Sequence, residues 1–397
     1  MIPVSEAIDI IDRETGFLSA ETIDLSNAIG RVLAEDIIAD TDLPPFDRSQ
    51  MDGYAVIAAE TKKAPVELLI VGESAAGRGW HHKLNAGEAV RIMTGAPVPE
   101  GADAIQKIEV TKEDGEFVEI LEPTEKGRYI IYKGAEINSG ETVITSGEIV
   151  TENMVAVLAA FGYARVKVAK RPKVSILSTG SEIVAIDQIP GRDQIRNSNS
   201  VMLLALAQKA GSETRILPIA QDDIDDLKNQ IKLALKTSDI LVMTGGVSVG
   251  KYDLTKTALL ELGAEIFFEK VRLKPGKPTV FARLNDKLVF GLPGNPVSVA
   301  ATFYLFVRRV LLKMQSATNT SLLEGTAVAA VRTKGAKERD TYLPASLSTS
   351  KKGKLIAEPL KWHGSSDFVG FARANAFIVV PAGETFEEGD PVRILFL

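Results

Sequence analysis

The residue types best suited to chemistry lie in TGGVSVGKYD, positions 244–253, directly after the apolar run DILVM. Gly245, Gly246 and Gly250 let the backbone turn left-handed or approach a ligand closely, so successive N–H groups converge on an anion and Ser248 adds a hydroxyl. Asp253 closes the loop beside the helix predicted over LTKTALLELG, where a cation can join carboxylate and oxyanion. Alone, this loop reads equally well as a turn between strand and helix, because isolated glycine motifs are weak signals. In KVRLKPGKPTVF, Lys274 and Lys277 flank Pro275-Gly276, a stiff turn that keeps two ammonium groups in one neighbourhood; two solvated lysines would have the same spacing. In VFGLPGNPVSVAATFYLFV, Pro296 opens a predicted helix with an apolar face of Val297, Ala300, Phe303 and Phe306. The Gly294-Asn295 amides then form a second anion site at its N-terminus.

Smaller polar turns accompany these. The run STGSE at 178–182 offers Ser178, Gly180 and Glu182, and an acidic pair, Asp222-Asp223, follows the strand ETRILPI. Thr94 in RIMTGAPVPEGADAI is either a turn hydroxyl or a ligand contact. Asp47, Arg48, Ser49 and Asp52 crowd one turn of DLPPFDRSQMDGYAV, as polar residues in loops commonly do. Ser365 and Ser366 in HGSSDF face an oxyanion or simply make a turn. His81 and His82 are adjacent with no third ligand nearby, so solvent exposure is expected.

Strands and helices must alternate to position these groups: strand KVSILSTGSEI, a helix over 200–210, strand ETRILPI, a helix over 223–235, and strand DILVM. Such βαβ units build a mostly parallel sheet that binds ligands beyond the carboxyl ends of its strands, the rim on which the turns at 178–182, 222–223 and 245–253 fall. Upstream, residues 3–14 carry Ala7, Ile8, Ile10 and Ile11 at helical spacing, and Ser26 is read as the cap of a second short helix carrying Ala28, Val32 and Leu33. Short β runs from about 67 to 150 predict a small all-β insert, and a helix around 154–160 stops at Gly162. After Met314, QSATNTSLLEG reads as a linker, and alternating runs from GTAVAAVRT to PVRILFL predict a small barrel or sandwich.

Composition narrows the chemistry. With 397 residues, 45% hydrophobic and 25% charged, the chain supports several ordinary cores. The absence of cysteine removes disulfides, thiolate metal sites and cysteine nucleophiles, and only three histidines argue against a histidine cage or a serine–histidine triad. A net charge of −6 argues against a nucleic-acid partner, although local lysines still suit small anions. The acidic, amphipathic start does not resemble a signal peptide, and no apolar run approaches the ~20 residues needed to span a bilayer, so no membrane partner and a cytoplasmic location are expected.

Taken together, FDRSQMDGYAV, IMTGAPVPEGADAI, LSTGSEI, QIRNSNS, TGGVSVGKYD, LKPGKP and GLPGNPVS resemble the MoeA family of molybdopterin molybdenumtransferases in order and spacing over nearly the whole chain. The central stretch is also similar to the smaller MogA-type adenylyltransferases. The resemblance implies α/β and β architecture: a helical region at 1–41 and 141–168, a β-rich insert at 42–140, a MogA-like three-layer α/β domain with a mostly parallel sheet at 169–316, and a C-terminal β-barrel at 317–397. It implies insertion of molybdenum from molybdate into adenylylated molybdopterin, with release of AMP and dependence on Mg²⁺. It also implies an elongated homodimer in which Asp52 and Thr94 act across the subunit interface, with MogA-type adenylyltransferases and molybdoenzyme recipients as further partners. By motif, Asp52, Asp222, Asp253 and Glu182 match acidic active-site positions, with Asp222 and Asp253 as metal ligands, and Lys270 and Lys274 match active-site lysines. Lys274, Lys277, Pro278 and Ser298, with a serine of the 365–366 pair, match the molybdate-holding region, and Pro293 to Pro296 belong to its GLPGNPVS motif.

The chain departs from the family pattern in YIIYKGAEI, with Ile131 at an arginine position and Glu136 at an aspartate position, and Pro344 stands where a second C-terminal arginine is common beside Arg339. These departures motivate two alternatives: a weakly or non-catalytic molybdopterin-binding scaffold, and a tungstate-handling relative. A P-loop nucleotidase is set aside because no GxxxxGK[ST] occurs.

Overall fold

The computed structural model describes residues 1–246, 254–360 and 364–397. Ser248, Gly250 and Asp253, named above, lie outside these residues, as does His363. The described chain forms two compact units, one of Met1–Glu35, Ser146–Glu152 and Arg165–Leu397, the other of Asp36–Thr145 and Asn153–Ala164.

The first unit is built on a six-stranded sheet of β1 (Lys173–Ser178), β2 (Glu213–Ile216), β3 (Ile240–Thr244), β4 (Glu265–Lys270), β5 (Pro278–Leu284) and β6 (Lys287–Leu292), in the order β2-β1-β3-β6-β5-β4. The first four strands in that order are parallel, and β5 and β4 close the sheet as an antiparallel edge. Near-continuous apolar runs fit strands covered on both faces. Ile176, Val242 and Phe290 face one core while Leu177, Met243 and Val289 face the other, as the two-residue repeat requires. Helices α1 (Ser198–Lys209), α2 (Ile224–Leu235) and α3 (Leu254–Glu261) follow their strands, and α4 (Pro296–Thr302) runs through one π-helical turn at Phe303–Val307 into α5 (Arg308–Met314). Asn197 caps α1 by accepting from Ser200 N–H, and Asp223 caps α2 by accepting from the Asp225 and Asp226 amides.

Register carries the sheet into the site. Ser178 pairs with Thr244 and Thr244 with Leu292, so three parallel strands end level and the turns after them lie side by side. Beyond the sheet, β7 (Glu324–Ala329), β8 (Asp340–Thr349), β9 (Leu355–Pro359), β10 (Ala376–Val380) and β11 (Pro391–Phe396) close into a five-stranded barrel, because β8 pairs with both β9 and β10. Leu273–Lys274, between β4 and β5, pairs in parallel with Asp340–Thr341 at the start of β8. That pairing ties the lysine turn to the barrel.

The N-terminal helix, Val4–Glu14, buries Val4, Ala7 and Ile11. The second helix expected from Ser26 is absent: the chain makes one 3₁₀ turn at Leu25–Asn27, Gly30 takes φ +74°, and Val32 and Leu33 bridge in extended backbone to Ile149 and Val168. β-branched Val32 and the left-handed glycine favour that extended path. The second unit is a six-stranded sheet in the order Ala104–Lys107, Gly53–Val56, Glu88–Ile92, Val66–Ser74, Phe117–Ile120, Thr111–Asp114. It includes the helix Glu152–Ala160 from residue 153 onward, which stops at left-handed Gly162. Among the described residues no helix is long and apolar enough to cross a membrane.

Candidate functional site

In the first unit the lysine turn, the start of α4, the start of β8 and the serine turn enclose a cavity of about 520 Å³. Gly276 shapes the lysine turn: φ is +119°, and a Cβ would stand 2.6 Å from Thr302 Cγ2 and 2.9 Å from Leu273 Cδ2. The hydrogen bond from Thr279 Oγ1 to Gly276 O, 2.7 Å, closes the turn onto the start of β5. Lys274 and Lys277 thus line one wall, and the pairing of Leu273–Lys274 with β8 brings Arg339 to the same space. The opposite wall carries Ser298, only 4% exposed, with Asn295 and Ser365. No carboxylate belongs to the described lining, and among the described residues none of the three cations has an ion-pair partner. Three unneutralised charges beside hydroxyl groups suit a compact dianion. At the start of α4 the Val297 N–H is already donated to Ser365 O at 3.1 Å, and Asn295 and Ser298 line this cavity.

A second cavity, about 820 Å³, opens at the level carboxyl ends of β1 and β3 and shares Asn295 with the first. Its polar floor includes Ser178, Thr244, Gly245 and Gly294, and Glu182, Pro296 and Ser366 stand around it. Asn199 ties the floor together, its Nδ2 donating to Gly294 O at 2.7 Å and Thr244 Oγ1 at 3.2 Å, while Thr244 Oγ1 donates to Pro293 O at 3.0 Å. Gly245 at φ +89° passes directly under the Thr179 carbonyl, and Gly246 at φ +65° lies between the Thr179 and Thr255 hydroxyls. The other side is apolar, and Ile186, Ile195 and Phe368 lie 57%, 59% and 47% exposed around it. Apolar side chains left open beside a polar floor suit a planar ring carrying polar substituents.

Of the acidic pair, Asp223 is consumed as the α2 cap, whereas Asp222 accepts Ser181 N–H through Oδ2 at 2.9 Å and lines neither cavity. No cluster of three His, Asp or Glu able to hold a metal occurs among the described residues. Gly180 lies in the turn after β1 at φ +137°. Lys270 lines neither cavity; its carbonyl accepts the Ile2 N–H at 3.1 Å and its ammonium stands 3.9 Å from Glu269.

Asp52 and Thr94 belong to the second unit, where Asp52 Oδ1 accepts the Thr94 N–H at 2.7 Å and the Thr94 hydroxyl at 2.8 Å. The Thr94 backbone bond, then its hydroxyl bond, holds the Asp52 carboxyl below the usual carboxylate range. A depressed folded value makes the pair's contribution fully present above the unfolded pKa and lost as pH falls through the folded one. Thr94→Val keeps the amide and removes the hydroxyl, so the Asp52 carboxyl is expected to titrate at higher pH, readable by carboxyl ¹³C NMR; an unmoved titration would show that the hydroxyl bond contributes nothing. Asp47 accepts Lys133 N–H at 2.7 Å, and Lys133 also pairs with Asp42 at 3.1 Å. Ile131 stands directly opposite Arg48 in a two-strand pairing, and Arg48 reaches Glu136 at 3.2 Å. His81 and His82 are exposed, with the His82 ring edge-on to Trp80 at 5.2 Å.

Arg339 is singled out by sequence only through the family resemblance, and Asn197, Asn199 and Thr244 are not singled out individually. Only their place in NSNS or beside a glycine turn gave a signal, and tertiary hydrogen bonds decide their roles.

Comparison with known proteins covers the whole chain. Residues 2–162 match the MoeA N-terminal region (domain I and II), 175–313 a probable molybdopterin binding domain, and 326–397 the MoeA C-terminal region (domain IV). The molybdopterin molybdenumtransferase of Bacillus subtilis (strain 168) is 37% identical, spanning 100% of this chain and 94% of its own length; that of Staphylococcus aureus (strain MRSA252) is 35% identical over 99% and 95%. Among solved structures, the molybdopterin biosynthesis moeA protein from Pyrococcus horikoshii OT3 superposes with a TM-score of 0.87 at 30% identity, covering 100% of both chains.

Proposed function

The chain belongs to the MoeA family, and from that premise we propose that it inserts molybdenum from molybdate into adenylylated molybdopterin with release of AMP. The observation that carries this reading is the pair of adjoining cavities: one lined by Lys274, Lys277 and Arg339 with hydroxyl groups, the other half apolar and half polar, with Asn295 in the wall of both. Molybdate is a tetrahedral dianion, so Lys274, Lys277, Arg339, Ser298 and Ser365 hold its oxygens. The larger cavity takes the pterin against Ile186, Ile195 and Phe368 and directs its adenylylated end to the turns bearing Gly180, Gly245 and Gly246. Positioning two bound partners removes the entropic barrier to their meeting, and the protein needs no covalent intermediate.

Mg²⁺ held by Asp222, with Asp253 as the second carboxylate implied by the family resemblance, would neutralise charge on the pyrophosphate as AMP leaves. Glu182 and Ser178 orient the substrate beside it. The proposal includes homodimer assembly, a cytoplasmic location, receipt of substrate from a MogA-type adenylyltransferase and delivery to molybdoenzymes. Its test is turnover with adenylylated molybdopterin, molybdate and Mg²⁺: AMP release is expected for wild type and a fall of at least ~tenfold for Asp222→Ala, on the scale of a lost charge-assisted contact. Tight substrate binding by wild type without AMP release would instead support the scaffold reading.

A further inference from the structure

We infer that Asn295 is a positioning residue that aims the Ser365 hydroxyl hydrogen into the oxyanion cavity; the inference rests on the reading of that cavity given above. Asn295 occupies the N-cap position of α4, where an asparagine side chain ordinarily accepts a backbone amide of the first turn, yet its side chain caps nothing. It turns instead toward the serine segment, and Nδ2 donates to Ser365 Oγ at 2.8 Å. The Ser365 backbone is fixed separately, its carbonyl accepting Val297 N–H at 3.1 Å. A hydroxyl has one hydrogen and two lone pairs. With a lone pair occupied by the Asn295 amide, the Ser365 hydrogen is free to donate, and Ser365 faces the cavity of Lys274, Lys277 and Arg339, where an oxyanion is the natural acceptor. A side chain diverted from a stabilising cap to a hydroxyl at a cavity wall is the arrangement expected when ligand geometry takes precedence over helix stability.

The geometry assigns Asn295 a role exercised through Ser365, which a double-mutant cycle can isolate. Isothermal titration of the full chain with sodium molybdate is the measurement, on wild type, Asn295→Ala, Ser365→Ala, the double variant and Asn295→Asp. Ser365→Ala is expected to weaken binding roughly tenfold and Asn295→Ala roughly three- to tenfold, with the double no weaker than Ser365→Ala within about twofold. Asn295→Asp is nearly isosteric but can only accept, so it draws the Ser365 hydrogen away from the cavity. It should weaken binding more than Asn295→Ala does, while its unfolding temperature stays at or above that of wild type because the wild-type side chain makes no cap to lose and aspartate is favoured at a helix N-terminus. Losses that multiply in the double variant, or wild-type affinity in Asn295→Asp, would overturn the relay while leaving the oxyanion cavity intact. Absence of molybdate binding by wild type would overturn the cavity reading and the relay together.

Discussion

Lys277→Ala is expected to raise the dissociation constant for molybdate roughly 10- to 100-fold, and Lys274→Ala/Lys277→Ala further still. A hydrogen bond to a charged group contributes about 1.5–3 kcal/mol, and each 1.4 kcal/mol is tenfold in affinity. Neither lysine has an ion pair to fall back on, and their cavity has no described carboxylate, so the charge removed is charge available to the ligand. The two losses need not add, because both lysines meet one anion and the second removal acts on a site already rearranged. Folding should be nearly indifferent, since Lys274 is exposed and Lys277 only partly buried. Titration calorimetry and a melting curve on the same samples separate the two effects. Wild-type affinity in the double variant would mean that the lysines point to solvent, the other arrangement their spacing allows.

The second large effect is structural and falls on the rim of the other cavity. Gly245→Ala places a methyl group against the Thr179 carbonyl oxygen, which belongs to backbone and cannot swing aside, in a residue held at φ +89°. Strain of this kind, with the displacement it forces, is expected to destabilise the first unit by roughly 2–4 kcal/mol. That corresponds to a fall of roughly 5–15 °C in its unfolding transition. The same displacement shifts Thr244 and through it Asn199, Pro293 and Gly294, so the cavity floor loosens as well. An unchanged melting temperature would show that the turn yields without strain.

These outcomes mark which parts of the molecule could be read from residue order. The alternation of apolar strands with amphipathic helices specified the parallel sheet, and the glycine turns then had to fall on its carboxyl rim, because a βαβ unit leaves no other place for them. Lys274, Lys277, Ser298 and Ser365 line one cavity; spacing alone left the lysines and the serine turn open, and only the family resemblance grouped them. The helix expected after Ser26 failed because Gly30 and the pairing of Leu33 with Val168 outweigh a local cap, and that pairing joins segments far apart in sequence. The resemblance named Arg339, but its place beside the lysines had no local signal, for a similar reason. In KERD it resembles any solvated charge, and only the parallel pairing of Leu273–Lys274 with Asp340–Thr341 carries it to the lysines. Asp222 and Asp223 cannot be told apart by type, and the helix cap distinguishes them by consuming one. Asn199 carried no signal of its own, since its place depends on hydrogen bonds to two turns contributed by β3 and β6.

The central claim is that cations and hydroxyl groups from separate segments surround one tetrahedral dianion. Diffraction from crystals soaked in sodium tungstate, recorded at the tungsten absorption edge, tests it most directly. An anomalous peak is predicted inside the cavity, with tungstate oxygens about 2.7–3.2 Å from the Lys274 and Lys277 ammonium groups and the Ser298 and Ser365 hydroxyls. A peak elsewhere on the chain, with that cavity left to solvent, would contradict it.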